Sequence, residues 1–246
     1  MSEKESLNTY RIDYLTSTFR ATAGLLPVIG PAMAELASLI PGQRVDRVVE
    51  FLKVLDKRIE QLAQSQDEIK NKFAQEGFFE LCEEACEQAA KTNSEDRRKY
   101  LAGIIAKGLT SEEIDIQESQ HLLRLLGELN DIEVLVLRFY WNDLLNGDVE
   151  FRQKHGKVVF PPMPHFGSSQ EDLDKASLHS SYQSHLTSLG LLTPEYKEEQ
   201  LAHYVSDKGS YIQPKIKTSE IKIYKITPLG QLFLYNIEIV SKRHPY

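Results

Sequence analysis

The chain has 246 residues, 41% hydrophobic and 26% charged, with a formal net charge of −7 at pH 7. This is an ordinary soluble composition, long enough for one large domain or two modest ones, and its acidity disfavours a nucleic-acid surface spread over the whole molecule. The acidity is uneven: residues 1–130 hold 16 Lys and Arg against 22 Asp and Glu, residues 131–246 hold 13 against 14, and residues 203–246 form a local basic stretch with seven against three.

The first ten residues, MSEKESLNTY, are polar, and the apolar run beyond them is already interrupted at Gly24 and Pro27, unlike a secretory signal. The expected location is cytoplasmic, or peripheral to the inner membrane. A first helix is expected over about 6–26, with Tyr10, Tyr14, Leu15, Phe19 and Ala23 at helical spacing and Pro27 stopping it. A short second helix follows Pro31 and ends before Pro41. Residues 21–41 are apolar and small, broken by three prolines and two glycines, with Glu35 as the only ionisable group. Such a run is too broken to span a bilayer as one helix and too apolar for a loop. Two readings stay open. It is bundle core with Glu35 paired to Arg44 or Arg47, or it is a membrane- or partner-facing segment carried by Leu25, Leu26, Val28, Ile29, Met33, Leu36, Leu39 and Ile40 and flanked by Arg11, Arg20, Arg44 and Arg47.

The clearest periodicity follows. Val45, Val48, Leu52, Leu55, Ile59 and Leu62 recur at alternating spacings of three and four, Val49 and Phe51 widen the stripe, and Ile69 and Phe73 keep its phase beyond Gln66. This predicts a long bundle helix in preference to a dimeric coiled coil, whose narrower seam a partner helix could cover. Gly77 punctuates, and a further helix runs over 78–90, with Cys82 and Cys86 on its apolar face and Glu80, Glu83, Glu84 and Glu87 in solvent. Two cysteines at this spacing read as core, and no histidine lies near enough to complete a metal site. Ser94 caps a helix whose Leu101, Ile104, Ile105 and Leu109 mark one face. Thr110 with Glu113 and Asn130 with Glu133 have capping-box spacing and open two more helices, for about seven before Gly147.

From Gly147 the texture changes to Gly, Pro and Phe without helical period, which predicts a long connection with a short strand at 157–160. Ser168 or Ser169 then caps a helix in which Leu186 and Leu189 pack inward and Gly190 supplies the terminal left-handed turn. Strands are expected at 202–206 and 221–226 around a turn at 207–209, and Thr227-Pro228 opens a last helix. That is the order of a winged helix-turn-helix. The expected fold is therefore mainly α: a multi-helix bundle over 1–146, a connector over 147–167 and a winged-helix-like α+β module over 168–246.

Chemistry is not legible. The seven histidines show no ligand or catalytic spacing, the Gly24–Gly30 stretch lacks the Lys-Ser/Thr ending of a phosphate loop, and acid clusters such as Glu83-Glu84 read as solvated helix faces. No catalytic residue, cofactor, metal or small-molecule substrate is expected. For nucleic acid, Ser180, Gln183 and His185 on the module's candidate recognition helix and Lys215, Lys217, Lys222 and Lys225 around its wing are the candidate contacts. Against them, no Lys or Arg occurs between Ala176 and Tyr196, where direct readout and phosphate affinity need cations.

Three blocks, Ser94-Glu95-Asp96-Arg97-Arg98-Lys99-Tyr100-Leu101-Ala102-Gly103-Ile104-Ile105, Leu125-Leu126-Gly127-Glu128-Leu129-Asn130-Asp131-Ile132 and His185-Leu186-Thr187-Ser188-Leu189-Gly190-Leu191-Leu192, together with residues 224–233, resemble the bacterial abortive-infection alpha family. The resemblance covers about half of the chain, from Ser94 onward. It implies a helical region followed by a winged-helix-like module and a role in the bacterial response to phage, and it carries over no catalytic residues. The expected function is a non-enzymatic interaction or defence protein that contacts a protein partner, a second copy of itself or a membrane surface. The alternative is a winged-helix DNA-binding regulator with a sensory helical bundle.

Overall fold

The computed structural model describes residues 44–62, 77–110, 115–141, 149–160, 163–196 and 221–241, with the backbone alone for Phe79, Thr110, Ile221 and Lys222. The helices expected before Pro41, the segment 21–41, Ile69, Phe73, Glu113, the strand and turn expected at 202–209, Lys215 and Lys217 lie outside the described residues. Among those described, the protein is mainly helical, with eight helices and one two-stranded antiparallel sheet. The chain divides into two compact units, 1–131 with 232–246, and 132–231. The stretch 168–246 is thus shared between them.

In the first unit, α1 (Val45–Leu62) buries Val45, Val48, Phe51, Leu52, Leu55 and Ile59 of the stripe the spacing predicts and leaves Val49 and Leu62 half-buried. It packs on α3 (Glu95–Thr110) and on α2 (Phe78–Lys91), so its apolar face is covered within the chain. Residues 101–106 of α3 are buried in succession, well beyond the single face expected, because α3 is the central helix and meets α1, α2 and α4 (Ile116–Glu128) on different sides. Cys82 and Cys86 are buried thiols, as their apolar face predicts. Burial pushes both up, Cys86 to about 12, which makes them poor nucleophiles and poor metal ligands.

The helix ends follow local rules. The Ser94 hydroxyl accepts the Arg97 N–H at 3.2 Å. A capping box opens α4, but it is formed by Asp115 and Glu118, whose reciprocal bonds measure 2.7 and 3.1 Å. Thr110, expected to cap, is instead the last residue of α3. At the other end of α4, the Arg97 guanidinium donates to the carbonyls of Leu126 and Leu129 and pairs with Asp131 at 3.1 Å. Arg98, almost fully buried, reaches Glu50 of α1 at 2.8 Å. Two of the blocks that carry the family resemblance therefore meet through Arg97, while Glu95, Asp96, Lys99 and Glu128 of the same blocks are exposed.

The second unit contains α5 (Asp131–Phe139) from its second residue onward, α6 (Val149–Val159), α7 (Gln170–Ser188), β1 (Leu192–Tyr196), β2 (Ile221–Ile226) and the first turn of α8 (Pro228–Asn236). The strand expected at 157–160 is a correction: this stretch is helical, and its i to i−4 bonding continues to Phe160, whose N–H donates to Gly156 at 2.8 Å. Ser169 caps α7, accepting the Asp172 N–H at 3.2 Å. Gly190, at φ +72°, ends it in a Schellman turn, with Leu191 N–H donating to Leu186 and Gly190 N–H to Thr187. β1 pairs with β2 in the register Leu192↔Ile226 to Tyr196↔Ile221. The Thr227 hydroxyl then donates to Gly190 at 2.6 Å and accepts the Gly230 N–H at 3.0 Å, which seats the start of α8 on the α7–β1 corner.

Candidate interaction surface

The side chains singled out for nucleic acid are mostly engaged by the protein itself. His185 Nδ1 lies 2.7 Å from the buried Glu133 carboxylate, and Gln183 donates to the Tyr140 hydroxyl at 2.6 Å, so this face of α7 is held on α5 and on the turn residue that follows it. Lys225 pairs with Glu195 across the sheet at 2.6 Å. Ser180 is exposed, and Lys222 has no described side chain. The structure thus joins His185 and Gln183 to the unit's core and leaves no cationic cluster among the described candidates. The N-terminal turn of α7 carries Glu171 and Asp172, charges that repel phosphate.

A different surface stands out. Every large apolar side chain that is exposed among the described residues belongs to the second unit: Ile132, Val149, Val158, Phe160, Met163, Phe166, Leu173, Leu178 and Tyr196. Seven of these nine fall on α6, α7 and the segment that joins them. Two features of the local sequence produce this. First, α6 buries only Val159 and α7 only Leu186, so neither helix has an apolar stripe to spend on its own core. The half-buried side of α6 is held instead by Phe151, which stacks near His155 with ring centroids 5.0 Å apart and receives the Arg138 guanidinium at 5.2 Å.

Second, the joining segment is built as a turn that displays an aromatic ring. His165 N–H donates to the Ser168 hydroxyl at 2.8 Å and Ser168 N–H donates to the His165 carbonyl at 3.0 Å. Gly167 between them has φ +99°, which the third position of a type II turn requires. Phe166 occupies the second position, at the apex, fully exposed; Met163 just before the turn is 87% exposed. Phe160 is half exposed while its ring edge meets Phe139 at 4.4 Å between centroids, so its orientation is fixed from beneath. Sequence reasoning assigned no role to these residues. The readable signal was the Phe-Gly-Ser order of 166–168, a type II turn with a large apolar residue where the turn points outward.

Among the described residues no group of three or more His, Cys, Asp or Glu could hold a metal ion, and no helix is long and apolar enough to cross a membrane. Comparison with family models, curated proteins and solved structures finds no match to this chain.

Proposed function

We propose that this chain is a non-enzymatic interaction protein whose second unit binds a protein partner through α6, the Met163–Phe166 segment and α7. The observation that carries the reading is Phe166, held at the apex of a hydrogen-bonded turn with nothing over its ring. Large exposed apolar patches mark interaction sites, and an aromatic ring on a rigid support makes a strong anchor because little entropy is lost when it is covered. Fully burying one such side chain contributes about 1.5–3 kcal/mol. The resemblance of the 94–105 and 125–132 blocks to the abortive-infection alpha family supports a bacterial setting in the response to phage.

A winged-helix DNA-binding regulator is the second reading, supported by the order α7, β1, β2, α8. The engagement of His185, Gln183 and Lys225 and the acids that open α7 weigh against it. The test is photocrosslinking in living cells from position 166, with exposed Lys53 of α1 as the control position. Adducts at 166 and none at 53 are expected. Adducts at neither position would remove the reading, and a salt-sensitive, sequence-selective DNA mobility shift would replace it with the regulator.

A further inference from the structure

We infer that the partner of this surface is a second copy of the chain, joined through an isologous contact between the α6–turn face of one copy and the first half of α7 of the other. The inference rests on the reading that the surface binds protein. It is carried by the fact that both halves of a complementary pair are present, with Lys154 and Lys157 exposed in one and Glu171 and Asp174 exposed in the other, while Arg152 and Asp172 are half-buried. Residues 149–167 hold three cations, Arg152, Lys154 and Lys157, against one acid, Glu150; α7 holds three acids, Glu171, Asp172 and Asp174, against Lys175. The two stretches therefore have net charges of +2 and −2 in a chain that is −7 overall.

Apolar side chains lie within both charges. On the basic side Lys154, Lys157 and Val158 fall on one exposed stripe of α6, followed by Phe160, Met163 and Phe166. Neither Lys154 nor Lys157 has an ion-pair partner among the described residues. On the acidic side Leu173 and Leu178 stand exposed beside Glu171 and Asp174. Those acids make contacts within their own helix, Glu171 to Lys175 at 2.5 Å and Asp174 to Gln170 at 2.8 Å. Such exposed pairs are worth little and exchange readily for intermolecular ones.

A single charged patch would fit many partners, but two patches of opposite sign with apolar centres on one unit fit a copy of that unit. Under a two-fold operation each copy offers both faces, so every basic-to-acidic contact occurs twice. This doubling is what lets a modest patch hold a dimer in a molecule whose net charge repels its copies.

The experiment measures the mass of the full-length protein by sedimentation velocity and light scattering over about 1–100 μM, the range in which a weak homodimer is populated. The unmodified protein should dimerise. Lys154→Glu with Lys157→Glu makes both faces acidic, and Glu171→Lys with Asp174→Lys makes both basic. Each double variant should keep its helical circular dichroism and lose self-association by at least about tenfold, and a one-to-one mixture of the two should recover a heterodimer. A monomer at every concentration overturns the inference, as does a dimer that ignores both reversals or a mixture that fails to associate. If that monomer instead sediments with vesicles containing anionic lipid, the basic face is a lipid surface. Crosslinking from position 166 separates the two levels: adducts of other than twice the chain mass end the dimer and leave the protein-binding reading standing, and no adducts end both.

Discussion

The two units spend their apolar residues in opposite ways. In the first, α1 places six apolar side chains of its 18 residues in the interior and α4 four of 13; in the second, α5 buries four of 9, whereas α6 and α7 bury one each over 11 and 19. The first unit exposes no large apolar side chain among its described residues, and the second exposes nine. A helix that has satisfied its apolar face has nothing left to offer a partner. The contrast thus separates a unit whose described helices cover their apolar faces from one in which α6, α7 and the segment between them leave apolar side chains in solvent.

The strongest way to break this contrast is truncation. Phe51 is fully buried in α1, so Phe51→Ala should cost about 3–5 kcal/mol, whereas Phe166→Ala, which empties no cavity, should stay within about 0.5 kcal/mol of the parent. Chemical denaturation followed by far-ultraviolet circular dichroism checks both. Trp141, the chain's single tryptophan and part of the second unit, gives a second signal that should move less than the helical signal in Phe51→Ala. Equal losses from both substitutions would erase the distinction.

Next in size is Arg97. Its guanidinium is mostly buried and serves three acceptors at the end of α4, so Arg97→Ala strands two carbonyls and should cost about 2–4 kcal/mol. Arg97→Lys should recover only part of that, because one ammonium cannot reproduce the fork. Full rescue by Lys would show that charge alone matters there. Gly103 tests packing more narrowly. A Cβ on it would lie 2.7 Å from the Asn236 carbonyl oxygen, so Gly103→Ala should cost about 1–3 kcal/mol in a thermal melt even though alanine is the better helix former. A stabilised Gly103→Ala would mean that the last turn of α8 yields easily.

What could be read from the sequence follows the same division. Periodicity arises only where one face is buried, which is why most of the α1 stripe is legible in the sequence and α6, with Val159 alone inside, reads as a connector. Turn chemistry was legible where glycine marked it. Gly190 announces the Schellman turn that ends α7, but the same pair of bonds ends α8 with Glu238 at φ +60°, where Ile239 N–H donates to Leu234 and Glu238 N–H to Tyr235. Nothing local signals a glutamate in that conformation. Its carboxylate is held by Arg58, 180 positions away in the chain. Of the proposed interaction surface, only the turn at 165–168 has a local signature; exposure of Phe160 and Met163 depends on what the rest of the unit fails to cover.

The smallest expected effect concerns His179, a half-buried titratable group of α7 whose ring meets the Val159 backbone at the end of α6. Burial lowers it below the ordinary histidine range, a hydrogen bond to the Val159 backbone offsets part of that, and its Nε2 is buried without a partner. A proton added at Nε2 would be an N–H with no acceptor. Because the folded value lies below the unfolded one of 6.5, the unfolded chain binds the proton first. Stability linked to His179 is therefore whole above pH 6.5 and declines as the pH falls toward the folded value. His179→Gln removes that loss. The difference in Trp141 melting midpoint between parent and variant should be larger at about pH 7.5 than at about pH 5.5, with the variant gaining on the parent as the solution is acidified. A difference that holds constant across that range would mean that His179 titrates as though in water, and that the end of α6 does not close over α7.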